Sequence, residues 1–264
     1  MDIATLLLAN FAILAGIFVP LWLLSIALHD PSFVDIWWAF GMPVLALLSF
    51  FETGPATPRK DILLILCGLW GLRLGIYLFI RWRAHGADPR YEALLASRQR
   101  KHGWGFARTA GLMVFALQMP LQFIVALPVQ LGQVPAAPIA IGTVGWIGVA
   151  LASFGIVFEA IADFQLIAFR WNPANKGKVL NSGLWHYSRH PNFFAEACTW
   201  WGLYLIAAET PVGLWALPGP LLVTFLLTRF SGVPTVEQSM RKKGPEYADY
   251  LRRTSGFIPW FPKD

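Results

Sequence analysis

Long apolar runs separated by short polar or basic connections make up most of the chain: 3–28, 34–51, 62–80, 109–131, 138–162, 193–208 and 212–230. A helix needs about 20 apolar residues to cross a hydrocarbon layer roughly 30 Å thick, so each run is a candidate span. The pattern predicts an all-α polytopic membrane protein with seven transmembrane helices, built as a single integral membrane domain over residues 1–264. Only Met1-Asp2 precedes the first run and no small-residue cleavage site follows it, so it reads as a retained span rather than a signal peptide. No internal repeat or low-complexity tract is evident. Gly and Pro fall mainly between runs, but Pro43, Pro120, Pro128, Pro218 and Pro220 lie inside them and predict kinks. Kinked helices open internal cavities.

Composition agrees with this picture: hydrophobic residues make up 56% of the chain, charged residues 14%, and there are 13 Trp. Charge then adds an orientation. Of the 21 Lys and Arg, seven fall in 81–108, four in 170–189 and seven in 229–263. Arg59 and Lys60 alone sit on the other connections, and Arg73 lies inside a span. Basic connections stay in the cytoplasm, so the N-terminus is expected outside and the C-terminus inside. The net charge of +6 follows from this bias plus attraction to anionic lipid, and nucleic-acid binding is not expected. Cys67 and Cys198 lie in spans with no CxxC and no His pair nearby, which predicts neither a disulfide nor a metal site.

Against this background the stretch Gly183-Leu-Trp-His-Tyr187-Ser-Arg189-His190-Pro191-Asn192-Phe-Phe-Ala-Glu196 crowds polar and ionisable groups at the mouth of an apolar run. Pro191 suits the first position of a helix, which would put Arg189, His190 and free backbone N–H groups at a positive helix end suited to an anion. A carboxylate at bilayer depth costs about 2.5–3.5 kcal/mol on insertion scales. Asp35, Glu159, Asp163 and Glu196 all fall toward the expected cytoplasmic side and are candidates for one shared pocket. Glu159 and Asp163 are spaced i, i+4 and share a helix face. The loop expected after them offers Gln165, Arg170, Asn172, Asn175, Lys176 and Lys178, a mixture suited to sugar hydroxyls and phosphates.

Singly, each of these residues reads as an interhelical hydrogen bond or a snorkelling contact; as a cluster they read as a binding site. Arg73 reads equally as a snorkelling cation or a functional one. Gln118 and Gln122, four apart, read as helix–helix contacts, and His85 and His102 as solvated groups in a basic loop. The tail from Glu237 to Pro262 reads as two short amphipathic pieces joined at Gly244-Pro245. It either lies in the interface or folds back over the pocket, with Glu237 and a Tyr supplying polar contacts.

The run Gly183-Leu-Trp-x-Tyr187-Ser-Arg189-His190-Pro191-Asn192-Phe-x-x-Glu196, the upstream Glu159-x-x-x-Asp163, and Tyr247-x-x-Tyr250 followed by Phe257-Ile-Pro259 resemble the C-terminal part of the steroid 5-alpha-reductase family. The segments Val34-Asp35-Ile-Trp-Trp-Ala-Phe-Gly41 and Asp88-Pro-Arg90-Tyr91 are similar to its uncharacterised bacterial branch, so the resemblance covers nearly the whole chain. The Arg-His-Pro motif alone is also similar to isoprenylcysteine carboxyl methyltransferases and sterol C14 reductases.

The resemblance implies a bacterial inner-membrane enzyme of seven spans, expected as a monomer. It would bind NADPH in a cytoplasm-facing cavity and reduce a conjugated carbon–carbon double bond of a lipidic, steroid-like, isoprenoid or acyl substrate. Asp163, Asn192 and Glu196 match cofactor-contacting positions, and Tyr187, Arg189 and Tyr247 fall in the same segments. With the bottom-up cluster, the candidate cofactor set adds Glu159, Arg170, Asn172, Lys178, His190 and Glu237. Steroid reductases carry a Gln-Glu pair in helix two and a Tyr in helix three. Here Val34-Asp35-Ile36 stands in the first place and Trp70, with Tyr77 two turns on, in the second, so Asp35 and Tyr77 are the catalytic candidates. No GxGxxG follows a strand, which excludes a Rossmann mode of dinucleotide binding. Two other readings remain: an S-adenosylmethionine-dependent membrane methyltransferase of the isoprenylcysteine type, and a non-enzymatic lipid-binding or transport protein.

Overall fold

The computed structural model describes residues 2–240 and 244–263. In chain order the main helices are α1 (Ile3–Leu28), α2 (Val34–Glu52), α3 (Pro58–His85), α4 (Pro89–His102), α5 (Phe106–Val125), α6 (Leu127–Leu131), α7 (Thr143–Trp171), α8 (Leu184–Tyr187), α9 (Pro191–Ala207), α10 (Pro218–Phe225), α11 (Val233–Met240) and α12 (Pro245–Arg253). Among the described residues no strand forms beyond an isolated bridge between Ser188 and Ser255.

Six segments are long and apolar enough to cross a membrane: α1, α2, α3, α5, α7 and the run Gly213–Gln238, which contains α10. Side chains on their outer faces are apolar yet open, with Leu8 and Phe164 each 69% exposed, as expected where lipid rather than water is the solvent. This is a membrane protein of all-helical fold. The run expected at 193–208 is α9, whose 17 residues rise about 25 Å.

Several boundaries differ from those read from the sequence. No breaker follows Ala162 until Asn172-Pro173, so α7 continues about two and a half turns past the expected end and carries Gln165 and Arg170 on helix rather than loop. The expected basic loop 81–108 contains α4. Asp88 caps it by accepting the Arg90 N–H (2.9 Å), Pro89 fills its first position, and Gly103 closes it at φ +67°. His102 is therefore helical, and His85 ends α3. The run 109–131 is broken at Ala126, with α6 following as a separate short helix, and α5 contains a π-helical turn at Gly111–Phe115.

The described residues fall into two compact units, Met1–Trp146 with Leu203–Gly219, and Ile147–Gly202 with Pro220–Asp264. In the first, α2 and α3 pack closely because Gly71 and Gly75 present no side chain to α2. A Cβ on Gly71 would lie 2.5 Å from the Ala39 carbonyl oxygen, and one on Gly75 would lie 2.6 Å from the Phe40 ring. Several polar groups buried in this unit find donors or acceptors, Asn10 donating to Ser49 Oγ (2.9 Å) and Gln130 Oε1 (3.1 Å) and Gln133 to the Ala46 and Val129 carbonyls, while Asn10 Oδ1 and Gln133 Oε1 have no partner. Lys60, 2% exposed, donates to the Phe50 and Gly54 carbonyls at the C-terminal end of α2 (2.7 Å each). Arg59 donates to the Pro138 carbonyl (2.6 Å) and lies 3.7 Å from Glu209. The two cations off the basic connections are thus buried structural groups.

In the second unit, α9 approaches the 147–171 part of α7 through small residues. A Cβ on Gly155 would lie 2.6 Å from both the Ala195 oxygen and the Thr199 nitrogen. That close approach brings the polar ends of the two helices side by side.

Candidate functional site

In the second unit Glu159 (2% exposed) and Asp163 (4% exposed) are buried on one face of α7. Asn192, in the first turn of α9, points its Nδ2 at Asp163 Oδ1 (3.4 Å). The other end of the same amide, Asn192 Oδ1, is buried with no hydrogen-bond partner. An acceptor without a donor in low dielectric costs about 1–3 kcal/mol, which a ligand N–H or O–H would recover. Glu196 is partly buried one turn further along α9.

Asp163 and Arg170 are seven residues apart on α7, on one face and about 10 Å apart along the axis. From Arg170 the chain turns through Asn172, Lys176 and Lys178 around a groove of about 290 Å³. Asn172 contributes structure as well, its Oδ1 accepting the Ala174 N–H (3.0 Å). Acceptors at one end and cations at the other suit a ligand carrying hydroxyl or amide donors at one point and phosphate at another.

The Arg189 region has a different character. Its guanidinium donates through Nε to Glu237 Oε1 (2.9 Å) and through NH1 to the Leu251 (3.1 Å) and Thr254 (2.5 Å) carbonyls, while NH2 lies 2.7 Å from Glu237. His190, 3% exposed, stacks on Phe193 and brings Nε2 to 3.4 Å from Glu237. The anion at the positive end of α9 is thus Glu237 of the same chain.

Around this knot the tail folds back. The Arg189 N–H donates to the Ser255 carbonyl, Ser188 Oγ to the Phe257 carbonyl, and the Trp260 N–H to the Tyr187 carbonyl. Tyr250 joins it, donating its hydroxyl to the Trp185 carbonyl (2.5 Å). Tyr247, 2% exposed, sits in a small core with Val179 and Tyr250. Tyr187 remains 41% exposed, edge-on to Phe261.

In the first unit Asp35, one residue into α2, anchors a second polar network. Tyr91 of α4 donates its hydroxyl to Asp35 Oδ1 (2.6 Å) and accepts from Gln118 Nε2 of α5 (2.8 Å). Arg90 bridges Asp35 Oδ2 (3.5 Å) and Asp88 Oδ2 (2.8 Å), and Arg81 lies 4.0 Å from Asp88. Asp30 supports this from behind, accepting from the Ser32 N–H and from Trp82 Nε1, while Ser32 Oγ accepts the Asp88 N–H.

Burial pushes the Tyr91 phenol well above its usual range and the Asp35 charge adds to the rise, so it keeps its proton through neutral pH. Burial would also raise Asp88, but the hydrogen bonds and charge of Arg90 prevail and hold its carboxyl below the usual range. Tyr77 lies with its ring 6.0 Å from the Arg81 guanidinium. Tyr91, Arg90 and Asp88 went unassigned in the sequence reading, although the Asp-Pro-Arg-Tyr string and its capping pattern were visible. Gln118 was read as a helix contact, and its partner is this phenol.

A family model described as "Protein of unknown function (DUF1295)" matches residues 21–254. The chain belongs to this DUF1295 family. The match runs from the middle of α1 to the end of α12, so it contains both polar networks. No curated protein and no solved structure matches the chain.

Proposed function

We propose that this DUF1295 protein is a membrane-embedded, NADPH-dependent reductase of a conjugated carbon–carbon double bond in a lipidic substrate. The observation that carries the reading is the buried, unpartnered Asn192 Oδ1 beside Asp163, with Arg170 about two turns further along α7 and Lys176 and Lys178 in the connection that follows it. These residues fit the group: Asn192, Asp163 and Glu159 would take hydroxyl or amide donors, and the cationic groove would take phosphate. When bound, NADPH supplies a hydride. We take α9 as the seventh span, with the basic connections and the C-terminus in the cytoplasm of a bacterial cell and the protein in its inner membrane.

The chain's own part is orientation and proton supply. Tyr91 Oη carries a proton that it would give up on turning its O–H from Asp35 to the substrate; the hydride pair would form the bond at the β-carbon, and the alkene pair, held as developing enolate charge, the bond to the proton at the α-carbon. Asp35, receiving hydrogen bonds from Tyr91 and Arg90, orients the phenol and stays an acceptor. Gln118 fixes the phenol from the other side. The resemblance to steroid reductases supports the same chemistry, with Asp35 standing in the region of their Gln-Glu pair.

Purified protein supplied with 4-deuterated NADPH and a panel of lipid enones, including steroid-like, isoprenoid and acyl members, is expected to place one deuterium at the β-carbon and a solvent-derived proton at the α-carbon. Tyr91→Phe is expected to slow this by about a hundredfold or more while leaving NADPH affinity unchanged. Failure of every enone to accept deuterium overturns the reductase reading. Full-rate turnover by Tyr91→Phe overturns the assignment of the acid alone.

A further inference from the structure

The connection between α3 and α5 carries a second surface that the reductase reading does not use. In α4 the side chains of Tyr91 and Leu95 turn inward, Leu95 being 4% exposed, and the opposite face, including Leu94, Ser97, Arg100 and Lys101, is open. Among the described residues, Arg83, Arg98, Arg100, Lys101 and Arg108 have no carboxylate within ion-pair distance, whereas Arg81 and Arg90 do. Five unneutralised cations therefore lie between the end of α3 and the start of α5, three of them in the C-terminal half of α4.

Their placement is not loose. Gly103 ends α4, and Trp104 then stacks on His102 (4.6 Å between centroids, 21° between planes) and lies under the Arg108 guanidinium (4.6 Å). The Trp104 ring thus fixes one cation and one imidazole on its two contacts. The flanking helices α3 and α5 are both membrane-crossing candidates, so the connection between them must lie at a leaflet surface. Trp is favoured at that depth, and clustered cations there meet lipid headgroups before anything else.

We propose that the C-terminal half of α4 together with Trp104 and Arg108 is a binding surface for the phosphate headgroup of anionic phospholipid. The occupant follows from charge: an array of guanidinium and ammonium groups without internal counter-ions complements a phosphodiester whose remaining headgroup adds no positive charge. Zwitterionic lipid offers the same phosphate with a cation attached and is the weaker ligand. The alternative source of the same charges is the negative end of the α4 dipole, which cations in the last turn complement. That role needs no lipid and is indifferent to headgroup.

Native mass spectrometry of the whole protein in detergent, titrated with phosphatidylglycerol or phosphatidylcholine, separates these. The parent is expected to bind phosphatidylglycerol preferentially, with a preference that falls as salt is raised. Each cation near an anionic surface is worth about fivefold in binding, so Arg98→Gln/Arg100→Gln/Lys101→Gln is expected to lose roughly a hundredfold. Arg252→Gln/Arg253→Gln removes two cations that are paired with Asp249 and is expected to change little.

Equal binding of the two lipids by the parent, or a preference insensitive to salt, overturns the proposal without any variant. So does a triple variant within twofold of the parent, or an equal loss in the Arg252/Arg253 pair. Inorganic phosphate competing as well as phosphatidylglycerol would also overturn it, showing a simple anion site.

Discussion

Asp88 shows how one side chain serves both local structure and a functional network. Its Oδ1 caps α4 through the Arg90 N–H, and the same carboxylate holds the Arg90 guanidinium that reaches Asp35. Because its folded-state pKa is depressed, the carboxylate stabilises the fold at any pH above its unfolded value of roughly 4 and loses that contribution as pH falls through the lower folded value. Asp88→Asn keeps a capping oxygen and removes the charge, so thermal unfolding followed against pH isolates this effect. The variant is expected to melt below the parent near neutrality, by an amount equivalent to roughly 1 kcal/mol, with the gap closing toward pH 3. A gap that persists unchanged into acid would show that the Asp88 charge does not matter. Asp35 was singled out from sequence as a costly carboxylate at a span end. Tyr91 was not, because nothing local marks a phenol 56 residues away as its partner.

At the scale of elements, apolar runs gave the long helices, Pro191 marked the start of α9, and Gly244-Pro245 marked the start of α12. These are signals a chain carries locally. Helix ends were misjudged where the breaker was weak or the cap was read as loop. The α7 helix ran on through polar Asp163 and Gln165, and α4 was hidden by its own charge. Close packing was also invisible: Gly71 and Gly75 matter because of what α2 brings against them. Gly71→Leu is expected to destabilise the first unit by about 1–3 kcal/mol, since the backbone oxygen of Ala39 cannot yield as a side chain would. Gly68→Leu, where a Cβ would meet open space, is the control. Equal melting temperatures for the two variants would contradict the packing described here.

Across the whole molecule, many of the described polar residues within the apolar fold join hydrogen-bonded networks, and buried atoms without a partner, among them Asn10 Oδ1, Gln133 Oε1 and Asn192 Oδ1, occur in both units. Arg189 and Glu237 were expected on the cofactor, yet their mutual ion pair closes the tail over Tyr187–Arg189. A sequence cannot show which anion a cation will choose when a carboxylate from its own chain is available. Asn192 and Asp163 did meet, and the amide oxygen left without a donor is what a ligand would complete. Equilibrium titration of the purified protein with NADPH, NADH and S-adenosylmethionine, read by thermal stabilisation, decides whether that ligand is the nicotinamide cofactor. Saturable stabilisation by NADPH, weakened about tenfold by Asn192→Ala and absent with S-adenosylmethionine, is the expected result. Stabilisation by S-adenosylmethionine alone, or by neither nicotinamide nucleotide, would contradict it.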